Sequence, residues 1–272
     1  MTYPLTAILS DLHGNRPALQ VALADTRARG VRRYVCLGDM VGYGAEPRFC
    51  LDAMMPRCGA PASDADALPE APPLEPGICL KGNHEEALLY SADDFNPKAR
   101  AAIEWTRDEI NRDLERSEAY WDFMGNLSAS AEDDLAMYAH GSPREPVREY
   151  VLPRDVRDTS KMRALFAHQT RPVCFIGHSH VPAVYFEDGS YFLPKGSEGP
   201  FELADLEQNR AIVNVGSVGQ PRDGDPRLSY VLFDGKHLSF VRLEYDVEVA
   251  AAAIRAVPEL PAYLAERLVV GR

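Results

Sequence analysis

An aspartate and a histidine two residues apart, Asp11 and His13, lie in the stretch L-S-D-L-H-G-N from Leu9 to Asn15. The apolar run Leu5 to Leu9 precedes them and a helical pattern begins near Arg16, so the pair falls where a strand gives way to a loop. That edge is where α/β proteins keep their chemistry. On an extended backbone the two side chains project to one side and offer a carboxylate oxygen and an imidazole nitrogen to a borderline-hard divalent metal. Three more strand-like runs end in the same kind of residue, at Gly38-Asp39, Gly82-Asn83-His84-Glu85 and Gly177-His178-Ser179-His180, and the run before His140 adds another imidazole. Together Asp11, His13, Asp39, Asn83, His140, His178 and His180 supply two carboxylates, an amide oxygen and four imidazoles. Two divalent ions about 3.5–4 Å apart need close to that number of donors, with one carboxylate shared between them. These motifs contain no thiolate, which favours Mn, Fe or Zn over an iron–sulfur cluster or an all-oxygen Ca or Mg cage. Any one of these histidines alone reads as an ordinary polar loop residue. Five strand ends carrying ligand-type residues carry the metal reading.

The elements that must position these residues are legible in outline. Asn15 caps a helix that runs toward Gly30, with Pro17 in its first turn and Leu19, Ala22, Leu23 and Thr26 at helical spacing. Arg33 to Leu37 reads as a buried parallel strand closing on the loop Gly38 to Gly44, where Asp39 is the only charge. Pro47 opens a short helix to about Met54. Residues 56–77 are rich in Pro, Ala, Asp and Glu and read as a flexible surface insertion. Ile78 to Leu80 is a brief strand delivering Gly82 to Glu85. Asn96-Pro97 starts a long helix with Ala101, Ile103, Trp105, Ile110 and Leu114 as its apolar positions, and Ser117 caps another through Met124. Leu135 to Ala139 and Pro172 to Ile176 read as strands on either side of a helix over 155–168. Beyond His180 come strand-like runs at Ala183 to Phe186, Tyr191 to Leu193, Ala211 to Val215, Ser229 to Phe233 and Leu238 to Tyr245, separated by turn signals, so an antiparallel half follows a parallel-looking one. Helices over 246–257 and 260–268 complete one domain spanning 1–272. Trp105, Tyr120 and Trp121 fit core packing, and His168 and His237 belong to no motif.

Composition narrows the function classes. The net charge of −12 disfavours broad attraction to nucleic acid or anionic lipid, so a phosphorylated substrate needs local cations, which bound metals can provide. Cys36, Cys50, Cys58, Cys79 and Cys174 show no pairing logic and read as reduced thiols of a soluble, cytoplasmic protein. The N-terminus lacks a signal-peptide pattern, and no stretch reaches the roughly 18 apolar residues of a membrane span.

In order along the chain, D-x-H, G-D, G-N-H-E, a lone H-G and G-H-S-H resemble the calcineurin-like metallophosphoesterase superfamily, and most closely its small bacterial phosphodiesterase-type members. The resemblance runs from residue 6 to at least 245 and includes the stretch Asn214 to Arg222. It implies an α/β fold of two packed mixed sheets flanked by helices in four layers. It implies that Asp11, His13 and His180 hold one metal, that Asn83, His140 and His178 hold the other, and that Asp39 bridges them. A hydroxide shared by two dications would then attack a phosphodiester or phosphomonoester in line, and a protonated His84 could donate to the leaving oxygen. Relatives acting on phosphoserine and phosphothreonine carry arginine in the loop after the bridging aspartate, where this chain has Met40-Val41-Gly42-Tyr43-Gly44, so a phosphodiesterase is favoured over a protein phosphatase. Many relatives have Asp where Glu85 stands, so a contact orienting His84 from there would span one more methylene. Arg222 is a candidate phosphate contact. The competing class is a non-catalytic metal-binding scaffold, which would tend to have lost ligands or the histidine of G-N-H; a structural zinc module would need thiolates.

Overall fold

The structure, a computed structural model, describes residues 3–59, 75–203 and 209–272. Its strands are β1 (Thr6–Leu9), β2 (Arg33–Cys36), β3 (Ile78–Cys79), β4 (Ser130–Glu132), β5 (Ala136–Ala139), β6 (Val173–Ile176), β7 (Ala183–Phe186), β8 (Tyr191–Phe192), β9 (Glu198–Glu202), β10 (Ala211–Asn214), β11 (Leu228–Phe233) and β12 (His237–Leu243). They form two six-stranded sheets, ordered β3-β2-β1-β11-β12-β9 and β4-β5-β6-β10-β7-β8. Both are mixed. In the first, β1, β2 and β3 are parallel and β1 meets β11 antiparallel, with Ala7 opposite Leu232. In the second, β5, β6 and β10 are parallel and β7 returns against β10. The parallel strands of each sheet therefore end on one common edge.

Side-chain alternation along the strands produces the layers. From β1, Ala7 and Leu9 face a core shared with helices α1 (Arg16–Ala28), α2 (Pro47–Met54), α3 (Asn83–Leu89), α4 (Pro97–Asn111), α5 (Ser117–Asn126), α7 (Val247–Arg255) and α8 (Ala262–Val270), whereas Ile8 faces the other way. Ile8, Val35, Val231, Phe233, Tyr138, Phe175 and Val213 fill the space between the sheets. Phe175 and Phe233 are fully buried there, with ring centres 5.3 Å apart. Truncating either to alanine would cost about 3–5 kcal/mol. On the far face of the second sheet, Cys174, Ile176, Tyr185 and Ile212 meet Leu165 and Phe166 of α6 (Thr159–His168). Helix, sheet, sheet, helix is the four-layer order.

Several expectations are corrected. Cys58 and Cys79 form a disulfide, closing the base of the proline-rich segment onto β3, while Cys36, Cys50 and Cys174 are free and buried. The reduced-thiol argument for a cytoplasmic setting therefore lapses. Residues 60–74 of that segment lie outside the described residues; Pro56–Cys58 is a 3-10 turn. Leu114 lies beyond the end of α4, where the helical period no longer applies, and is 90% exposed. The helix anticipated over 155–168 is a 3-10 turn, Pro153–Arg157, followed by α6, because the Asp158 side chain caps α6 by accepting the Lys161 N–H. Helix α3 begins on Asn83 itself, and strands β4 and β9 were not anticipated; Gly199-Pro200 within β9 reads as a turn. No helix among the described residues is long and apolar enough to cross a membrane.

Candidate metal centre

All seven anticipated ligand residues come to the shared strand edge. Asp11 and His13 follow β1, Asp39 follows β2, Asn83 and His84 follow β3, His140 follows β5, and His178 and His180 follow β6. Backbone hydrogen bonds tie these loops into one floor: Asp11 N–H to Gly38 O at 3.1 Å, His13 N–H to Asp39 O at 2.9 Å, and Gly177 N–H to His140 O at 2.9 Å.

The backbone there is not extended. Asp11, His13, Asp39, Tyr43, His178 and His180 all have φ between 47° and 64°. The left-handed region costs a non-glycine residue about 1–3 kcal/mol and persists only where the surroundings impose it. Asp11 and His13, like His178 and His180, thus converge through sharp left-handed turns, which corrects the alternation expected of an extended segment.

Each carboxylate has one oxygen anchored by the backbone and the other aimed inward. Asp11 Oδ2 accepts the His178 N–H at 3.1 Å, leaving Oδ1 buried without a hydrogen-bond partner, 3.1 Å from His180 Nε2. Asp39 Oδ1 accepts the His84 N–H at 2.9 Å, leaving Oδ2 3.4 Å from His140 Nε2, 3.7 Å from His13 Nε2 and 3.9 Å from His84 Nε2. These anchors need glycine as neighbour: a Cβ on Gly82 would stand 2.1 Å from Asp39 Oδ1, and one on Gly177 would stand 2.0 Å from Ser10 Oγ.

The imidazoles are oriented from behind. His13 Nδ1 donates to the Val41 carbonyl at 3.1 Å, His180 Nδ1 to the Gln220 carbonyl at 2.5 Å, and His178 Nε2 to the Arg148 carbonyl at 3.1 Å. With those nitrogens committed as donors, the opposite nitrogens present lone pairs to the centre. His13 Nε2 and His180 Nε2 then face each other at 3.2 Å, two acceptors with no proton to share. His140 Nε2 lies 3.1 Å from His178 Nδ1 and 3.0 Å from Asn83 Oδ1. Around His13 Nε2, His180 Nε2 and Asp11 Oδ1, acceptors converging on acceptors are mutually repulsive unless a cation sits among them. The donor set therefore fits divalent metals, in the groups Asp11-His13-His180 and Asp39-His140-His178, with Asp39 also grouped with His13 and His84.

Proton affinities follow the same logic. Burial holds His13 and His180 below the usual imidazole range and takes His178 to about 3. His140 is the exception: burial opposes its proton, but the Asp39 carboxylate outweighs burial and lifts it to about 9. Burial would likewise raise Asp11 and Asp39, yet the surrounding histidines hold both below the ordinary carboxylate range. His84 falls to about 4, chiefly through burial, so at neutral pH it is a neutral imidazole rather than the protonated donor anticipated.

Glu85 does not touch His84. Its buried carboxylate accepts the N–H groups of Gly82 and Asp39, each at 2.8 Å, Met40 at 2.7 Å and Val41 at 3.3 Å, clamping the loop after β2 to the start of α3. Asn214 holds the G-H-S-H turn, donating to Gly177 O at 2.6 Å and Ser179 Oγ at 2.9 Å, and Ser217 Oγ donates to Asp11 O at 2.9 Å. Tyr150, which no motif marked, stacks on His178 with ring centres 3.7 Å apart. An open cleft of about 250 Å³ lies over the cluster, walled by Tyr43, His84, Phe95, Arg148, Tyr150 and Arg222.

A pair of mixed sheets between helices, with aspartate, asparagine and histidine side chains meeting at their shared edge, is the architecture of a metal-dependent phosphoesterase. The chain belongs to the calcineurin-like phosphoesterase superfamily, whose domain profile matches residues 5–237. It is 34% identical, over the full length of both chains, to the uncharacterized protein MJ0912 of Methanocaldococcus jannaschii. Among solved structures it is similar to a metallophosphoesterase from Sphaerobacter thermophilus, with 32% identity, a TM-score of 0.78, and 99% of this chain and 100% of that one covered. A hypothetical protein, PH1004, from Pyrococcus horikoshii OT3 shares the fold at 18% identity, with a TM-score of 0.72 and 98% of each chain covered.

Proposed function

We propose that the protein is a dinuclear-metal phosphoesterase that hydrolyses a phosphodiester or phosphomonoester. The observation that carries this reading is the orientation of the candidate ligand atoms: imidazole lone pairs of His13, His180 and His178, with the unpartnered Oδ1 of Asp11 and the inward-facing Oδ2 of Asp39, converge in a buried space open to one cleft. Asp11, His13 and His180 would hold one ion, Asn83, His140 and His178 the second, and Asp39 Oδ2 both. Such ions acidify water and neutralise charge on phosphoryl oxygens.

The chain's own residues do the rest. Tyr43, Phe95 and Tyr150 line the cleft over the candidate ligand cluster and give it an aromatic wall. His84, packed against Tyr43 at 4.4 Å and Phe95 at 5.3 Å between ring centres, is fixed to offer an N–H to a phosphoryl or leaving oxygen. Arg222 stands in the wall to contact a substrate oxygen. Arginines typical of phosphoprotein phosphatases are missing from residues 40–44, which favours a small phosphorylated molecule, a diester in particular.

The test is a screen of the Mn-loaded protein against phosphomonoesters and phosphodiesters beside Asp39→Asn and His84→Ala. The parent is expected to turn over at least one class, with each variant slowed by about 10²–10⁴-fold. If every substrate stays intact, or both variants match the parent, the hydrolase reading is wrong.

A further inference from the structure

In a molecule of net charge −12, most surface arginines are tied to carboxylates. Arg148 at the cleft is typical, donating to Glu86 at 2.5 Å and Asp94 at 2.9 Å. Arg222 and Arg267 are held differently. Arg222 gives Nε and Nη2 to the neutral Gln220 Oε1, at 3.2 and 2.7 Å, and its guanidinium lies 5.7 Å from the centre of the Tyr43 ring. Arg267, in the last turn of α8, spends Nε on the Arg272 carbonyl at 2.5 Å and lies 5.3 Å from the Tyr263 ring, which also holds Lys98 Nζ at 4.1 Å. Among the described residues no Asp or Glu side chain is ion-paired with Arg222, Arg267 or Lys98.

The fold holds the first two together. Gly224 N–H, two residues past Arg222, donates to Gly271 O at 2.8 Å, and the Gly271 backbone lies against Asp225, so the end of α8 is fastened to the Arg222 loop. The proton of Arg267 is destabilised first by burial and then by the positive charge of Arg222. Its hydrogen bond to Arg272 uses one of the five N–H groups of Arg267. Cations carried on elements fastened to one another, partly desolvated and without an acidic side chain paired to them, are stabilised by a bound anion.

We propose that Arg222 and Arg267, with Lys98 beyond them, form a second phosphate-binding subsite flanking the metal-ligand cleft, so that the preferred substrate carries a second phosphate away from the scissile one. The substrate half of this inference rests on the phosphoesterase reading; the binding half does not.

Calorimetry on the Mn-loaded full chain would compare propylphosphonate with propane-1,3-bisphosphonate, whose carbon–phosphorus bonds resist hydrolysis. The parent is expected to bind the bisphosphonate about tenfold or more tighter, one charge-assisted contact's worth of affinity. Arg267→Gln should bring that ratio below about threefold, with Arg267→Lys in between; unchanged far-UV circular dichroism confirms that each variant folds. A parent ratio near one, no binding of either compound, or an equal ratio in Arg267→Gln overturns the subsite. Intact binding ratios without turnover of any ester would instead remove the hydrolase reading and leave the subsite standing.

Discussion

Replacing Glu85 with glutamine tests the clamp that sets the site. The side chain is fully buried, with Oε2 accepting from Gly82 and Asp39 and Oε1 from Met40 and Val41. A glutamine has one carbonyl oxygen, so whichever way its amide turns, two buried backbone N–H groups face an NH₂. Each buried donor left unmet costs roughly 1–3 kcal/mol, giving about 2–6 kcal/mol for the pair. For a chain of this size that is about 4–24 °C in Tm. Burial, with Asp39 adding its negative charge, pushes Glu85 up to about 7 against the pull of the N–H groups, so thermal unfolding is best followed at pH 8, where the carboxylate is ionised. The control is Glu86→Gln, one residue along the same helix, which removes a solvent-facing pair with Arg148 and should cost no more than about 1 kcal/mol. A Glu85→Gln Tm within the error of Glu86→Gln would refute the clamp.

Other consequences are equally concrete. Gly177→Ala drives a methyl into Ser10 and the anchored oxygen of Asp11; the variant is expected to retain less metal than the parent by elemental analysis, and equal retention would contradict the anchoring role. Asp133 accepts from Arg33 at 2.7 Å and from the N–H groups of Leu135 and Ala136, each at 2.9 Å; burial opposes ionisation, but these partners prevail and hold it at about 2. Its folded-state value lies below the unfolded one, so its contribution is present above about pH 4 and fades as pH falls toward 2. Denaturant titrations of Asp133→Asn should therefore show a loss of about 1–2 kcal/mol at pH 6 that shrinks with acid. The Cys58–Cys79 bond closes a loop across a sequence separation of 21, so its reduction should cost about 3 kcal/mol in urea titrations; five titratable thiols in the non-reduced, denatured chain would show that the bond is absent.

The sequence announced the candidate ligand residues because metal donors are few in kind and each was set at the end of an apolar run. Asp11, His13, Asp39, Asn83, His140, His178 and His180 could be named without knowing how the strands pair. What decides their usefulness was hidden, because it depends on atoms distant in the chain: the Val41, Gln220 and Arg148 carbonyls that turn three imidazoles inward, and the Gly82 and Gly177 surfaces that admit the carboxylates. Glu85 was misjudged for the same reason, since its partners include N–H groups 44–46 positions away. The left-handed φ values at Asp11, His13, His178 and His180 fall on non-glycine residues, whose types do not announce that conformation. Strand runs read well where β-branched and apolar residues alternate or cluster, as in β6 and β10, and failed in β9, where Gly199-Pro200 imitates a turn. The Cys58–Cys79 pairing was invisible because only the fold brings the chain on either side of the proline-rich segment together.

The most direct test of the central claim is the metal content of protein purified without added metal, measured beside Asp39→Ala. The proposed dinuclear site predicts close to two divalent ions per chain in the parent and at most one in the variant. A parent that carries no stoichiometric metal, and gains no thermal stability when Mn, Fe or Zn is supplied, would contradict it.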